Sequence, residues 1–214
     1  VSPDGNRIIC LNEDDLYLYS VADKTLKWIP LTLDETISFL QIKCSGSGQY
    51  LAYYGDAAQE GITAYGSIDL QSGKGSIFKA KGFAPTSLKI NGDYATISNA
   101  VPPASKGGPS KTGRILFVDL ANRDGKEILV ESGGESGMVA PSLDGKYVIT
   151  CCDTAADSGI LRCYRTSDGE KVAEQPYAIG TNCRPCEIIV QAESACAILM
   201  TNAGKSLSPA ITLP

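Results

Sequence analysis

The chain has 214 residues, 43% of them apolar and 20% charged, with a formal net charge of −5 and no histidine. This is the composition of an ordinary folded protein long enough to bury a sizeable core. The negative balance argues against a nucleic-acid backbone or an anionic membrane as the main partner. The missing histidine excludes a Ser-His-Asp or Cys-His catalytic set and any His-bound metal within the chain.

Twenty-two glycines and eleven prolines, spread along the chain, point to many tight turns rather than long helices. The turn Ser2-Pro3-Asp4-Gly5 leads into the apolar run Arg7-Ile8-Ile9-Cys10. After Asn12-Glu13-Asp14-Asp15 a strand is expected at 16–21, and after Ala22-Asp23-Lys24 an outer one at 26–31. The pattern then restarts with a strand at 39–44, the turn Ser45-Gly46-Ser47-Gly48, and Tyr50-Leu51-Ala52-Tyr53. Strands at 66–70 and 76–80 follow, separated by Gln71-Ser72-Gly73-Lys74. A third copy runs through 87–90, Asn91-Gly92-Asp93, 94–97, 114–120 and 127–130. A fourth runs through 138–141, Ser142-Leu143-Asp144-Gly145, 147–150, 161–165 and 171–174. A degenerate fifth begins at 187–190 and continues through Glu193-Ser194 into 196–200.

Each of these turns sets Gly or Asx between apolar runs, because a tight hairpin needs positive φ values that few other residues reach cheaply. Short strands at this spacing, with no amphipathic stretch long enough for a helix, predict an all-β fold. The repeat length of roughly forty to fifty residues is that of propeller blades. The expected architecture is therefore a β-propeller of four-stranded antiparallel blades, about 4.5 of them. The blades fall at roughly 1–34 (partial), 35–82, 83–132, 133–178 and 179–214 (partial), in a single propeller domain or part of one. The strand types run b, c, d, then three full sets, then a, b, c, which makes eighteen strands. Partial blades at both ends read as a piece of a larger ring.

The Ser-Pro-Asp-Gly turn and the later Leu116-Phe117-Val118-Asp119-Leu120 run resemble the WD40-like and YVTN-like propeller superfamily over nearly the whole chain. The resemblance implies a protein-interaction platform inside a larger protein or complex, although some relatives are lactonases or gating domains of peptidases. The chain departs from the WD40 pattern. It has no Trp-Asp dipeptide, and its one tryptophan, Trp28, falls on an outer strand. Asp69 and Asp119 occupy the strand-c acidic position, but Ser20 and Arg165 replace it elsewhere. Peptide-binding residues of that family are therefore not carried over.

Few residues suggest chemistry. Cys183-Arg184-Pro185-Cys186 has the spacing of a zinc half-site, with Cys151, Cys152 or Cys196 as the only soft partners, or of a redox pair without its usual helix. Structural packing is the preferred reading, and no cofactor is expected. Asn12-Glu13-Asp14-Asp15 is acidic but lacks the spaced oxygens of a calcium loop. Gly204-Lys205-Ser206 echoes a phosphate loop, yet Leu199 stands where its first glycine belongs. The inner strands offer Lys43, Ser87, Lys89 and Glu187, which form no evident constellation.

The most individual segment is 101–113, Val-Pro-Pro-Ala-Ser-Lys-Gly-Gly-Pro-Ser-Lys-Thr-Gly, a long b–c connection carrying Pro102, Lys106 and Lys111. Shorter elongations are expected at 57–61 and at 155–158, the latter with Asp157. All three should open on one face, where partner contacts are expected at Pro102, Lys106, Lys111 and Asp157. Eight cysteines in apolar surroundings, with no Asn-x-Ser/Thr acceptor, suggest a reducing, cytoplasmic setting. The expected function is a non-catalytic scaffold with protein partners and without nucleic acid or membrane insertion. The alternative is a propeller hydrolase of lactonase type, or an accessory propeller of a peptidase.

Overall fold

The computed structural model describes residues 1–12, 15–99, 112–131, 138–155, 158–178, 184–201 and 204–214. The described residues contain strands and turns and no helix. The first sheet has three strands, β1 (Arg7–Leu11), β2 (Asp15–Ser20) and β3 (Thr25–Pro30). The second has β4 (Ile37–Cys44), β5 (Tyr50–Ala57), β6 (Ile62–Asp69) and β7 (Gly75–Lys81). The third has β8 (Pro85–Asn91), β9 (Tyr94–Asn99), β10 (Thr112–Asp119) and β11 (Asp124–Glu131). The fourth has β12 (Met138–Pro141), β13 (Tyr147–Ala155), β14 (Ser158–Arg165) and β15 (Lys171–Ala178). The fifth has β16 (Arg184–Val190), β17 (Ser194–Thr201), β18 (Gly204–Leu207) and β19 (Ile211–Thr212). In the first four sheets the strands lie in chain order, each antiparallel to the next.

The described residues form nineteen strands rather than eighteen, for a local reason. β18 pairs with the end of β17 and β19 with its start, along one and the same edge. Between them Ser208 N–H donates to Ala197 O at 2.9 Å, and Ala197 N–H donates to Ser208 Oγ at 2.9 Å. Pro209 then has no N–H to continue the ladder. β18 and β19 are one third strand, broken at that proline. Most strands also run longer than expected. β6 starts at Ile62, four residues ahead of Gly66. Gly66 sits in mid-strand where Tyr53 Oη passes to donate to Ser76 O at 2.7 Å, leaving no room for a side chain.

The a–b turns repeat one hydrogen-bond scheme. Ser2 Oγ accepts from Arg7 N–H at 2.9 Å, and Asp4 Oδ1 accepts from Asn6 N–H at 3.0 Å. Ser142 and Asp144 do the same for Tyr147 and Lys146, at 2.9 and 3.1 Å. Gly5 and Gly145 close the turns at φ of 71°. The strand-c acids have a similar local task. Asp69 Oδ1 accepts from the N–H groups of Gln71 and Ser72 at 2.8 Å, and Asp119 Oδ1 accepts from Asn122 N–H at 3.0 Å. Ser20, which replaces the acid, donates to Asp23 at 2.9 Å. These positions cap the c–d turn whether or not they carry a carboxylate.

Four apolar cores join the five sheets in series. Leu16 and Leu18 meet Ile37, Leu51 and Tyr53 between the first and second sheets. Ala52, Tyr54 and Tyr65 meet Leu88, Ile97, Leu116 and Val118 between the second and third. Ile115, Phe117, Ile128 and Val130 meet Val139, Val148 and Tyr164 between the third and fourth. Ile149, Cys151, Leu161 and Cys163 meet Ala195, Ala197, Leu199 and Ile211 between the fourth and fifth. The period of two explains this. Along β10, Ile115 and Phe117 go to one side and Leu116 and Val118 to the other, so a middle sheet feeds two cores at once. Among the described residues no buried core joins the fifth sheet to the first.

Candidate functional site

The strands β4, β8, β12 and β16 are the inner edges of their sheets and lie side by side in that order. They form the inner wall of the array, and Lys43, Ser87, Lys89 and Glu187 all lie on it. Lys89 and Glu187 border one hollow of about 160 Å³, with Asn91, Val139, Ala140 and Ile188. Lys43 borders another of about 290 Å³, with Val1, Ile9, Ile42, Cys44 and Leu51. The Lys43 amine is held below the ordinary lysine range, first by burial and then by the charge of Lys89. Asn91 Nδ2 donates to Pro141 O at 3.2 Å, tying β8 to β12. Ser87 is half-buried beside the irregularity between Pro85 and Ser87. Within these two hollows the wall thus brings together two cations, one amide already engaged, and one carboxylate. Such a set favours negative charge near Lys43 and Lys89. Among the described residues the two hollows hold no carboxylate besides Glu187.

Cys186 is exposed on β16, with its thiol 3.4 Å from Ile198 O, and Cys183 lies outside the described residues. The proposed soft partners are dispersed. Cys151 is buried in the core between the fourth and fifth sheets, its Sγ 2.8 Å from Tyr177 Oη. Cys152, its neighbour in the strand, is buried on the other face. In the same core as Cys151, burial pushes the Cys163 thiol up to about 12. Among the described residues no three Cys, Asp or Glu side chains converge as metal ligands would. In the acidic turn, Asn12 N–H donates to Asp15 O at 2.9 Å, and the Asp15 carboxylate accepts from Trp28 Nε1 at 2.7 Å and Tyr17 Oη at 3.3 Å. Glu13 and Asp14 lie outside the described residues.

The expected contact residues Pro102, Lys106, Lys111 and Asp157 also lie outside the described residues. The strands around them correct the picture of three elongated loops. Ala155 pairs with Ser158, leaving only two residues between β13 and β14. The connection after β5 is closed by Ile62 N–H to Gln59 O at 3.3 Å and tied to the end of β7 in the same sheet by Gly82 N–H to Gly61 O at 2.9 Å. Of the three, the connection from Asn99 to Thr112 is the long one in sequence. Its two strand ends, Asn99 and Thr112, lie at the end of the third sheet opposite the a–b and c–d turns.

Sequence reasoning missed an apolar sheet face. Ile8 pairs with Tyr19, Cys10 with Tyr17, Tyr17 with Trp28 and Tyr19 with Leu26, so all six point away from the second sheet. Trp28 is 57% exposed and Leu26 66%. The alternation in Leu16-Tyr17-Leu18-Tyr19 marks both sides of β2 as suited to burial, but only the leucine side is covered. A second omission is the pair of buried hydroxyls Thr96 Oγ1 and Thr150 Oγ1, which have no hydrogen-bond partner among the described residues. Their spacing carries no signal in a strand, where Thr is common.

No protein-family model matches the chain, and no curated protein matches it in sequence. Solved structures do. Hydrazine synthase of Kuenenia stuttgartiensis is 17% identical with a TM-score of 0.51, over 100% of this chain and 64% of that one. A putative TolB from Agrobacterium tumefaciens is 15% identical with a TM-score of 0.51, over 92% and 67%. The WD40 domain of Pan2 from Neurospora crassa is 12% identical with a TM-score of 0.53, over 100% and 61%. The chain thus spans less than two thirds of the hydrazine synthase and Pan2 chains. At such identities the likeness is one of fold, and it agrees with the four-stranded antiparallel sheets and their serial cores. The chain has the β-propeller fold, as found in WD40 and TolB-like domains.

Proposed function

We propose that the chain is a non-catalytic protein-interaction scaffold, one propeller module of a larger protein or assembly. The observation that carries this reading is the inner wall, where, among the described residues, Lys43, Lys89 and an engaged Asn91 stand with one carboxylate, that of Glu187. A propeller hydrolase needs several convergent acids and amides at that place. The WD40 domain of Pan2 lends support as a structural neighbour, while hydrazine synthase marks the fold as one that enzymes also use. Partners dock on the face bearing the long 101–113 connection, since a rigid scaffold leaves such a loop free to specialise. A reducing, cytoplasmic setting belongs to the same reading, from eight cysteines in largely apolar surroundings and the lack of an Asn-x-Ser/Thr acceptor in the sequence.

The test is affinity capture from the native source, with the chain as bait beside a version whose residues 101–113 are replaced by Asn-Gly. Stoichiometric protein partners that disappear with the shortened bait are the expected result. Equal capture by both baits removes the loop from the reading, and no partner with either bait overturns the scaffold.

A further inference from the structure

Two lysines stand at one repeat position of the inner wall. Lys43 of β4 lies between Ile42 and Cys44, and Lys89 of β8 lies between Leu88 and Ile90. At the same position the fourth and fifth sheets carry Ala140 and Ile189, so the blade repeat does not require a cation there. Lys43 pairs with Ala52 and Lys89 with Thr96, which puts each side chain on the face turned to the following sheet. The second, third and fourth sheets, which hold the pair, each have all four strands.

The pair has no protein counter-charge. Both residues are half-buried, and the Lys43 amine is held below the ordinary lysine range by burial and then by the charge of Lys89. Among the described residues the ion-paired lysines are Lys79, Lys146 and Lys171, not these two. Glu187 borders the hollow of about 160 Å³ together with Lys89, but it is exposed and stands on β16, beyond β12. Gln41, two residues before Lys43 and on the same face of β4, has a buried Oε1 with no hydrogen-bond partner among the described residues. Two like charges side by side and an unused buried acceptor each cost free energy. A ligand with two negative charges and one donor relieves both.

We infer that Lys43 and Lys89 form an anion site that takes a doubly charged phosphate group. With a second pKa of about 6, such a group carries close to two negative charges near pH 7.5. Hydrogen phosphate also keeps one O–H, which suits the Gln41 acceptor. Lysine ammoniums meet phosphate as point charges, whereas the planar fork that favours paired carboxylate contacts belongs to arginine, and neither β4 nor β8 carries one. The hollow beside Lys89 amounts to about five water volumes, room for one phosphate group. The site lies apart from the loop-bearing face, so this inference and the scaffold reading fail independently.

The test is a titration of the whole chain with inorganic phosphate at pH 7.5, compared with sodium chloride at equal ionic strength and read on the lysine side-chain NMR signals. Saturable shifts at Lys43 and Lys89 with phosphate alone are expected, with a rise in the Lys43 amine pKa. Lys43→Met and Lys89→Met should each weaken binding about tenfold. Lys81→Met, which removes an exposed charge from the outer strand β7, should leave it unchanged. Phenyl phosphate separates the two sources of the group: binding of both probes assigns the site to phosphate monoesters as well, and binding of inorganic phosphate alone assigns it to the free ion. Shifts no different from those in chloride, parent-like binding by either inner-wall variant, or equal weakening by Lys81→Met each overturns the inference. Partners captured through the loop face beside a failed titration leave the scaffold standing without the anion site.

Discussion

The seam between the second and third sheets and the seam between the third and fourth are built from the same strands in the same order, yet they are held differently. In the former, Ala52 and Tyr54 of β5 meet Leu88, Ile97, Leu116 and Val118 of the third sheet, and the buried Thr63 hydroxyl on this face is engaged, donating to Phe83 O at 2.6 Å. In the latter, Thr96 pairs with Phe117 and Thr150 with Val139, so both hydroxyls face the same seam from opposite sides. Neither has a partner among the described residues, at 1% and 2% exposure. Polar links at the rim offset this. Glu131 N–H donates to Tyr164 Oη at 3.1 Å, Lys171 lies 3.0 Å from the Glu131 carboxylate, and Arg162 lies 3.0 Å from Glu174 and 3.5 Å from Glu131. One seam thus has the larger apolar core, with Arg114 Nη1 donating to Lys81 O at 2.9 Å and Arg123 3.6 Å from Asp69 at its rim. The other combines a smaller core with a charged clasp.

The largest expected effect tests the apolar seam. Leu116 is fully buried, and Leu116→Ala removes side-chain volume from a layer that cannot collapse around it. We expect a loss of about 2–5 kcal/mol in urea unfolding. A loss below about 1 kcal/mol would mean that this seam relaxes freely and that the contrast is misdrawn.

A smaller effect, of opposite sign, tests the mixed seam. Thr150→Val keeps the shape and deletes an unpartnered buried hydroxyl, so stability is expected to hold or rise by up to about 1 kcal/mol. Thr96→Val should do the same. A clear loss in either would reveal a partner for the hydroxyl.

The smallest effect concerns the clasp. Hydrogen bonds from Lys171 and then Arg162 hold the Glu174 carboxyl below the ordinary glutamate value of 4.5. A depressed folded-state pKa contributes stability above the unfolded value and loses it as pH falls through the folded value. Arg162→Met is therefore expected to cost about 0.5 kcal/mol at pH 7, since its carboxylate partners are well exposed. That difference should shrink in high salt and vanish once the pH lies well below 4.5, as thermal melts across pH would show. A difference unchanged at acid pH would assign Arg162 a packing role.

Much of the fold was legible because turns and alternation are local. Ser2-Pro3-Asp4-Gly5 and Ser142-Leu143-Asp144-Gly145 announce their own hydrogen bonds, and the apolar periodicity of β10 announces two buried faces. Strand ends were less legible. Ile62 and Thr63 continue a ladder that Gly66 seemed to begin, and Pro209 splits a strand whose two parts pair with the two ends of β17. The candidate site was partly visible. Lys43, Lys89 and Glu187 could be placed on inner strands, but which hollow each borders depends on how the sheets stack. The chosen loop residues fell outside the described residues, and the 155–158 loop proved short because strand pairing consumed its ends.

By itself, then, the sequence determined the repeat: where glycine and Asx permit a turn, where β-branched and aromatic residues alternate, and hence that the chain forms four-stranded antiparallel blades. These are contacts between near neighbours, and their signals are written in consecutive residues. Only the tertiary structure decided that Thr96 and Thr150 share a seam, that Trp28 and Leu26 stand uncovered, and which hollow Lys43, Lys89 and Glu187 border. Those facts depend on which sheet face meets which. That is settled by packing between residues tens of positions apart, where no local pattern reaches.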